Sequence, residues 1–403
     1  MNIFIMNCHT ANRGDEAAVR ALVDELISLY PDIEITLGMR GATRYPNLPQ
    51  NVKSIDQIIV TDSKDLKFNF LKYTKGRVAL GKTFSTFMQA VKRADLILHA
   101  PGGPSIGDTY YDAEMSYLNI YDLLISLNKP YMFYAPSMGP FKKSERNELR
   151  KRILKNSKAI VLRDPISAQY VRGFLPDEKI YQTLDSALQH DINFRENENK
   201  LNNYSELNVF LKNHPKCIGV TITDLMWHPI YSKDDKIKAN IQKTFDDMLS
   251  YLTHNGFGII FVPQLYGAGN DYNLMKSFCK NESDYFIIPD NNDEYDTYFQ
   301  QYLISKLSAV IGMRYNSNIF SAKMETPFIS VSYEQKMQGF MEKMGLSNYC
   351  IKVSDLSIDT LKMKFIDLQQ NYDSYKKLLE DKHMDMKNES YKTTEIVKRI
   401  LEK

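Results

Sequence analysis

Short apolar runs alternate with amphipathic helical segments through most of this chain, and this alternation limits the fold more than any other feature. Residues 2–7 form the first apolar run, residues 17–29 show apolar side chains at i, i+3 and i+4 spacing, and residues 33–37 form a second run. This order predicts a βαβ unit of a doubly wound parallel sheet. Because the alternation occurs in two blocks, it predicts an α/β protein with two facing Rossmann-like domains.

Length and local composition predict the domain limits. A chain of 403 residues is long for one domain, and residues 193–215 are polar and rich in Asn and Glu. We therefore predict an N-terminal domain over residues 1–192, a linker over 193–215 and a C-terminal domain over 216–355. Residues 356–403 are predicted to be helices that pack back on the body. Residues 62–92 are more polar and basic, which indicates an insertion or a helical excursion.

Composition excludes several classes of protein. The net charge of +2 gives no global field that would steer the chain to nucleic acid. The four cysteines are dispersed without a CxxC pair, and the seven histidines include no pair at metal-ligand spacing. We therefore expect no bound metal and a reducing, cytoplasmic location. The first residues are typical of a strand and not of a signal peptide, and no apolar window is long enough to span a membrane.

Two arginines stand at matching places, each directly after a predicted strand. Arg314 follows the apolar run 307–311 and precedes a helix, and Arg163 follows the run 159–162. A guanidinium presents a rigid fork to a carboxylate or phosphate, and a helix N-terminus also favours anions. A single arginine at a strand end is more often part of an ion pair, but two in equivalent places favour a clamp for an anionic ligand. Lys336 follows the next strand and is either a third positive charge or a solvated lysine.

Two loops after predicted strands contain glycine. Asn12, Arg13 and Gly14 precede the first helix, and Gly102 and Gly103 follow the strand at residues 94–100. Glycine lets a ligand approach the backbone. A capped helix start that favours acidic residues explains the first loop equally well, and a tight turn explains the second loop better than ligand binding does. Neither loop has the GxGxxG pattern and the chain has no Walker motif, so the sequence does not favour an enzyme that uses NAD or ATP.

In these residues the chain resembles the polysaccharide pyruvyl transferase family over about residues 1–345. The resemblance rests on residues 12–17, 101–104, 136–141, 162–164, Ser167, Asp185, 262–264, Asp271, 312–315, Tyr333 and Lys336. It implies a fold similar to that of GT-B glycosyltransferases and a transferase for exopolysaccharide or other cell-envelope glycans. The implied reaction forms a pyruvate ketal on a sugar of a surface polysaccharide or lipid-linked oligosaccharide precursor. Phosphoenolpyruvate is the implied co-substrate, with no further cofactor.

The resemblance also assigns roles to residues. The implied donor-binding residues are Arg163, Arg314, Tyr315 and Lys336, with the C-terminal domain on the donor side and Arg163 at the cleft of an N-terminal, acceptor-side domain. The implied acceptor-binding or cleft residues are Asn12, Arg13, Gly102, Gly103, Gln264 and Asp271. Candidates for catalysis are Asp15, His228 and position 316.

Position 316 departs from the family. Members commonly carry histidine two residues after the second arginine, as the favoured general acid, whereas this chain has Asn316. An amide donates a hydrogen bond but supplies no proton at neutral pH. Three explanations stay open: another residue such as His9, His228 or Asp15 protonates the substrate, the reaction differs, or catalysis is lost.

Two other functions compete with pyruvyl transfer. One is a GT-B glycosyltransferase that uses a nucleotide sugar, and the other is a degenerate member that binds a glycan or an anionic ligand without turnover. For pyruvyl transfer, the expected partners are phosphoenolpyruvate and a glycan or lipid-linked oligosaccharide acceptor, and no nucleic acid is expected. The lysine-rich segment 372–403 either contacts the inner face of a membrane or is a solvated helix. The sequence predicts no particular oligomeric state.

Overall fold

The computed structural model describes residues 1–41, 45, 47–62, 64–266, 270–289 and 294–403, which form two compact units. Unit 1 contains Met1–Thr10, Asp15–His190 and Lys387–Lys403, and unit 2 contains Ala11–Gly14 and Asp191–Met386. The boundary after His190 lies close to the predicted domain limit. The short segment Ala11–Gly14 belongs to unit 2 although it lies near the start of the chain.

Unit 1 is built on a parallel sheet of seven strands. In chain order, the strands of unit 1 are β1 (Asn2–Cys8), β2 (Glu34–Met39), β3 (Val52–Asp56), β4 (Leu96–His99), β5 (Gly102–Ile106), β6 (Tyr131–Phe133), β7 (Pro136–Met138), β8 (Ile160–Leu162) and β9 (Ile180–Gln182). Of these, β5 and β7 form a separate small sheet. The large sheet has the order β3-β2-β1-β4-β6-β8-β9. Its helices are α1 (Arg13–Leu29), α2 (Leu66–Tyr73), α3 (Lys82–Arg93), α4 (Tyr111–Ser126), α5 (Asn147–Lys155) and α6 (Pro165–Phe174).

The residues of β1 show why this sheet is covered on both faces. Phe4 and Met6 pack into one buried hydrophobic cluster, whereas Ile3 and Ile5 pack into another. Successive side chains of a strand point to opposite faces, so a continuous apolar run supplies two cores at once. This confirms the prediction of a doubly wound unit from residues 2–37.

Unit 2 repeats the architecture with six parallel strands. They are β10 (Cys217–Thr221), β11 (Gly258–Phe261), β12 (Tyr285–Ile287), β13 (Ala309–Gly312), β14 (Phe328–Ser332) and β15 (Cys350–Lys352), in the sheet order β12-β11-β10-β13-β14-β15. Its helices are α7 (Phe194–Asn203), α8 (Ser205–Asn213), α9 (Asp235–His254), α10 (Asp271–Phe278), α11 (Thr297–Ile304), α12 (Tyr315–Lys323), α13 (Gln335–Lys343) and α14 (Ile358–Gln370). The order reverses between β10 and β13, as it does between β1 and β4 in unit 1.

Several segments differ from their predicted structure. The predicted linker 193–215 consists of α7 and α8, because Leu201, Leu207 and Phe210 are buried and fix the two helices to unit 2. The predicted glycine loop around Gly102 and Gly103 is strand β5, which pairs with β7. Each of these segments gains structure from pairing or packing with residues distant in sequence, which composition does not report.

The chain ends in the long helix α15 (Tyr372–Leu401). Its residues up to Met386 belong to unit 2, and its residues from Lys387 belong to unit 1, where Ile396 and Val397 join the core. Among the helices of the described residues, none combines the length and the apolar character that crossing a bilayer requires.

Candidate functional site

Arg314 lies where the strand order of unit 2 reverses. It follows β13 and is the residue that precedes the first turn of α12. Its backbone N–H donates to Thr221 Oγ1 at 3.2 Å, and Ser317 Oγ donates to its carbonyl oxygen at 2.7 Å. Open α/β sheets bind ligands at this position, outside the carboxyl ends of the strands. The local backbone therefore fixes Arg314 at the expected ligand-binding edge of unit 2.

The guanidinium of Arg314 is held by Asp271. Its Nε and Nη2 donate to the two carboxylate oxygens at 3.1 Å and 2.5 Å. Asp271 also accepts the backbone N–H groups of Gln264 and Leu265 at 3.1 Å and 3.0 Å. Both members of the pair are buried. A bidentate pair of this kind fixes the plane of the guanidinium as well as its charge.

Aromatic side chains complete the surroundings of Arg314. Its guanidinium carbon lies 4.9 Å from the centre of the Trp227 ring, and the buried Tyr333 is its second aromatic neighbour. Burial alone would lower the pKa of Arg314, but Asp271 and Tyr333 outweigh it and raise the pKa above its ordinary value. The site therefore keeps a permanent, rigid positive charge against an aromatic wall.

Lys336 and His228 are joined through Glu334. Lys336 Nζ lies 2.6 Å from Glu334 Oε2, and His228 Nε2 lies 3.4 Å from Glu334 Oε1. Burial alone would raise the pKa of Glu334, but Lys336 and His228 lower it to about 2. The other ring nitrogen of His228 accepts the N–H of Ile230 at 3.2 Å. His228 is buried, with one ring nitrogen bonded to Ile230 and the other facing Glu334, and its predicted catalytic role stays a prediction.

Asn316 is bonded to the first loop of the chain. Its Nδ2 donates to Asn12 Oδ1 at 2.9 Å, and the same oxygen accepts the N–H of Gly14 at 2.8 Å. A Cβ on Gly14 would lie 1.7 Å from Asn316 Cγ. Glycine at position 14 is thus required by the close approach of the Asn316 side chain. Tyr315, the neighbour of Asn316, is buried with Lys336 Nζ 5.4 Å from its ring centre.

Arg13 and Gln264 are buried beside each other in unit 2. The Arg13 N–H donates to the Gln264 carbonyl at 2.8 Å, and its guanidinium carbon lies 4.8 Å from the Tyr266 ring centre. Gln264 Nε2 donates to Gln300 Oε1 at 2.8 Å. Unit 2 thus brings together Asn12, Arg13, Gln264, Asp271, Arg314 and Asn316 as one connected group.

Arg163 lies in unit 1 within a different network. Its Nη1 donates to Asp185 Oδ2 at 2.6 Å and its Nε donates to Ser137 Oγ at 3.2 Å. Ser137 in turn donates to Asp164 Oδ2 at 2.8 Å, and Asp164 caps α6 through the N–H of Ser167. Arg163 is therefore built into the joint between β7, β8 and α6.

His9 and Asp15 form an ion pair in unit 1. His9 Nε2 lies 3.1 Å from Asp15 Oδ2, with 39% of the His9 side chain exposed. Burial opposes a proton on His9, but Asp15 outweighs it and the pKa of His9 is raised. A Cβ on Gly102 would lie 3.2 Å from Asp15 Oδ1, while one on Gly103 would meet nothing within 4 Å. Open space above Gly103 and a polar pair beside Gly102 suit a hydroxyl-rich ligand.

Sequence reasoning missed a buried polar cluster centred on His99. Its ring nitrogens lie 2.5 Å from the Tyr121 hydroxyl and 2.7 Å from Ser105 Oγ, and Asn7 Nδ2 lies 3.0 Å from Nδ1. Burial lowers the pKa of His99 to about 3, so the ring is neutral. Arg40 reaches Asn7 Oδ1 at 3.5 Å. A histidine inside the apolar run of β4 was the available signal, since a buried histidine requires polar partners.

No group of three or more His, Cys, Asp or Glu side chains is arranged to hold a metal ion among the described residues. The residues of the proposed clamp are distributed over the two units, with Arg314, Tyr315 and Lys336 in unit 2 and Arg163 in unit 1.

Comparisons with known proteins give this geometry a family context. A family model described as polysaccharide pyruvyl transferase matches residues 12–335. The amylovoran biosynthesis protein AmsJ of Erwinia amylovora is 21% identical over 398 residues, which cover 93% of each chain.

Solved structures resemble the fold at low sequence identity. A glycosyltransferase from Rickettsia africae ESF-5 has a TM-score of 0.60 at 14% identity and covers 99% of this chain and 98% of its own. The UDP-GlcNAc 2-epimerase from Neisseria meningitidis bound to UDP-GlcNAc has a TM-score of 0.59 at 11% identity, with 99% and 100% covered. A ugt transferase from Siraitia grosvenorii in complex with UDP has a TM-score of 0.57 at 9% identity and covers 100% of each chain. These likenesses confirm the predicted α/β fold, similar to that of GT-B glycosyltransferases.

Proposed function

Because the chain belongs to the polysaccharide pyruvyl transferase family, we propose that it transfers the enolpyruvyl group of phosphoenolpyruvate onto a sugar of a cell-surface glycan precursor. The observation that carries this proposal is the buried Arg314–Asp271 pair at the start of α12. The family match makes a glycan-modifying transferase the general assignment, and Arg314 suggests which co-substrate it uses.

The reaction needs a site for two negative groups. A sugar hydroxyl adds to C2 of phosphoenolpyruvate while a proton goes to the methylene carbon C3, which becomes a methyl group. A second hydroxyl of the same sugar then displaces phosphate from C2 and loses its proton, so that a cyclic ketal and inorganic phosphate result. The donor brings a carboxylate and a phosphate, and both must be held while the C2–O bond to phosphate breaks.

Arg314 and the N-terminus of α12 suit these anions. The bidentate contact with Asp271 orients the guanidinium before any ligand arrives, which reduces the entropy lost on binding. Lys336, in the first turn of α13, lies beside Tyr315 of α12 and adds a second cation. We assign the donor anions to Arg314, Tyr315 and Lys336 of unit 2.

The acceptor sugar is assigned to the carboxyl edge of the unit 1 sheet. His9 and Asp15 follow β1, and Gly102 and Gly103 follow β4, the two strands between which the strand order reverses. Paired carboxylate and imidazole groups hydrogen-bond sugar hydroxyls, and a Cβ at Gly103 would meet nothing within 4 Å, which leaves the backbone there open to approach.

Asn316 supports a second candidate function, binding of the donor without turnover. Its amide is bonded to Asn12 and supplies no proton to C3. Loss of general acid catalysis typically lowers a rate by roughly 10²–10⁴-fold. If no other group supplies the proton, the chain binds the anion and the glycan but turns over little.

Calorimetric titration with phosphoenolpyruvate tests the donor assignment. We expect binding by the wild type and a loss of roughly tenfold or more in Arg314→Lys, which keeps a charge beside Asp271 but loses the bidentate fork. Arg163→Lys is the matched control, and it should bind as the wild type does. No binding by the wild type at millimolar ligand, or binding of UDP in its place, would contradict the assignment.

Phosphate release with a glycan acceptor separates the two candidate functions. Release that depends on both phosphoenolpyruvate and the acceptor supports pyruvyl transfer. Binding of phosphoenolpyruvate without release supports the non-catalytic function.

A further inference from the structure

The segment between β3 and α3 exposes several large apolar side chains to solvent. On α2, Leu66 is 84% exposed, Tyr73 is 86% exposed and Phe70 is 40% exposed. Phe68 and Leu71 of the same helix are buried and attach it to unit 1. At 100° per residue the exposed and buried sets lie on opposite sides of the helix. The helix is thus apolar on two faces, and only one of them meets the core.

The apolar surface continues beyond the helix. Val78 and Leu80, in the segment that leads to α3, are each 44% exposed. Exposed apolar side chains that occur singly are ordinary on any protein, but here five occur within fifteen consecutive residues. We call these five residues, Leu66, Phe70, Tyr73, Val78 and Leu80, the α2 patch.

Positive charge surrounds the α2 patch. Residues 64–82 contain six basic residues and one acidic residue, Asp65, whose carboxylate caps α2 through the N–H of Phe68. Five of the six basic side chains are exposed, namely Lys64, Lys67, Lys75, Arg77 and Lys82. The sixth, Lys72, pairs with Asp122 of α4 and fixes the helix in place. The whole chain has a net charge of only +2, so this concentration is local.

We propose that the α2 patch docks on the surface of an anionic lipid bilayer. Apolar and aromatic side chains flanked by lysine and arginine are the chemistry of a peripheral membrane contact, because the apolar groups enter the interface while the cations meet the headgroups. The anionic headgroups of such a bilayer complement the five exposed cations. The proposal does not rest on the identity of the donor or acceptor, since it uses no residue of the candidate site.

Vesicle binding of the full-length chain tests the proposal. We expect co-sedimentation with vesicles of phosphatidylcholine and phosphatidylglycerol, weakening as salt is added, and little with phosphatidylcholine alone. Leu66→Ser with Tyr73→Ser should lower partitioning by roughly tenfold. Lys67→Glu with Lys75→Glu should lower it by about fivefold or more for each basic residue removed. All four positions are exposed, so the thermal midpoint should stay at the wild-type value.

Matched variants elsewhere on the surface provide the controls. Met363→Ser with Met384→Ser removes two apolar side chains that are each 57% exposed, and Lys376→Glu reverses a charge on α15. Both should bind vesicles as the wild type does. Failure of the wild type to bind phosphatidylglycerol vesicles would overturn the proposal, as would equal losses in the control variants.

Discussion

Arg163 and Arg314 stand in equivalent places of two similar sheets, yet their surroundings differ. Arg163 makes one contact with Asp185 and bonds Ser137, in a network that also caps α6. Arg314 makes a bidentate pair with Asp271 and lies against Trp227. The first arrangement joins secondary-structure elements, and the second presents an oriented cation at a helix start.

The comparison shows that position in a Rossmann-like unit does not determine the role of a side chain. Both arginines are buried and both have a carboxylate partner, so neither burial nor charge distinguishes them. The difference lies in how many N–H groups of the arginine the carboxylate accepts, two for Asp271 and one for Asp185. The proposed donor assignment therefore rests on unit 2, and the variant Arg163→Lys tests whether Arg163 contributes to donor binding.

The largest expected effect comes from truncating each arginine. Arg314→Ala leaves Asp271 buried without its partner, and Arg163→Ala does the same to Asp185, so each should lower the free energy of unfolding by about 3–5 kcal/mol. Chemical denaturation measures both losses. Arg314→Met with Asp271→Asn should restore part of the stability, because it removes both charges and keeps an oxygen acceptor for the N–H groups of Gln264 and Leu265, while phosphoenolpyruvate binding stays absent. Recovery of that binding in the double variant would remove Arg314 from the donor site.

Acid should affect the two units in different pH ranges. The pKa of His99 falls from 6.5 unfolded to about 3 in unit 1, so the unfolded chain binds more protons and unit 1 loses up to about 5 kcal/mol as pH falls through this range. The pKa of Glu334 falls from 4.5 to about 2 in unit 2, so its contribution is present above pH 4.5 and is lost below it. Hydrogen exchange of each sheet as a function of pH measures the difference. His99→Gln should flatten the profile of unit 1 alone, and Glu334→Gln that of unit 2 alone.

Introducing histidine at position 316 tests whether proton transfer limits turnover at the proposed donor site. Asn316→His introduces a titratable group beside Asn12, and the rate of phosphate release should rise by roughly 10²-fold if proton transfer limits turnover. Asn316→Gln is the control, since it alters the side chain without adding an acid. An unchanged rate in both variants would indicate that another group already supplies the proton.

The smallest effect concerns His9. Asp15 raises the pKa of His9, so this contribution to stability is present at low pH and is lost as pH rises through the folded pKa. Asp15→Asn should lower that pKa, which NMR titration of the imidazole protons measures directly. Because His9 is 39% exposed, the change in unfolding free energy should be well under 1 kcal/mol.

The sequence predicted the central strands of both sheets well because each of them is a continuous apolar run. Ile3 to Met6 and Ala309 to Gly312 are buried on both faces, and such runs are recognised without tertiary information. The sequence also predicted Arg314 and Asp271 as site residues, although it did not predict that they pair. It failed at α7, α8 and β5, where the structure depends on contacts with distant residues.

The His99 cluster also depends on contacts between residues that are distant in sequence. Tyr121, Ser105 and Asn7 come from separate elements of unit 1, and only folding brings them to one imidazole. A sequence pattern reports the side chains that one element presents, but not which polar groups of different elements meet. Hydrogen-bond networks built from several elements are therefore the part of a site that sequence reasoning misses first.

The contact between Gly14 and Asn316 constrains the order in which substitutions can accumulate. Asn12 and Asn316 are 304 positions apart in the chain, yet the space that a side chain at position 14 would need is occupied by Asn316. Position 316 can change while Gly14 is kept, but Gly14 can change only after the side chain at 316 has become smaller. Gly14 therefore leaves room for other side chains at position 316, histidine included.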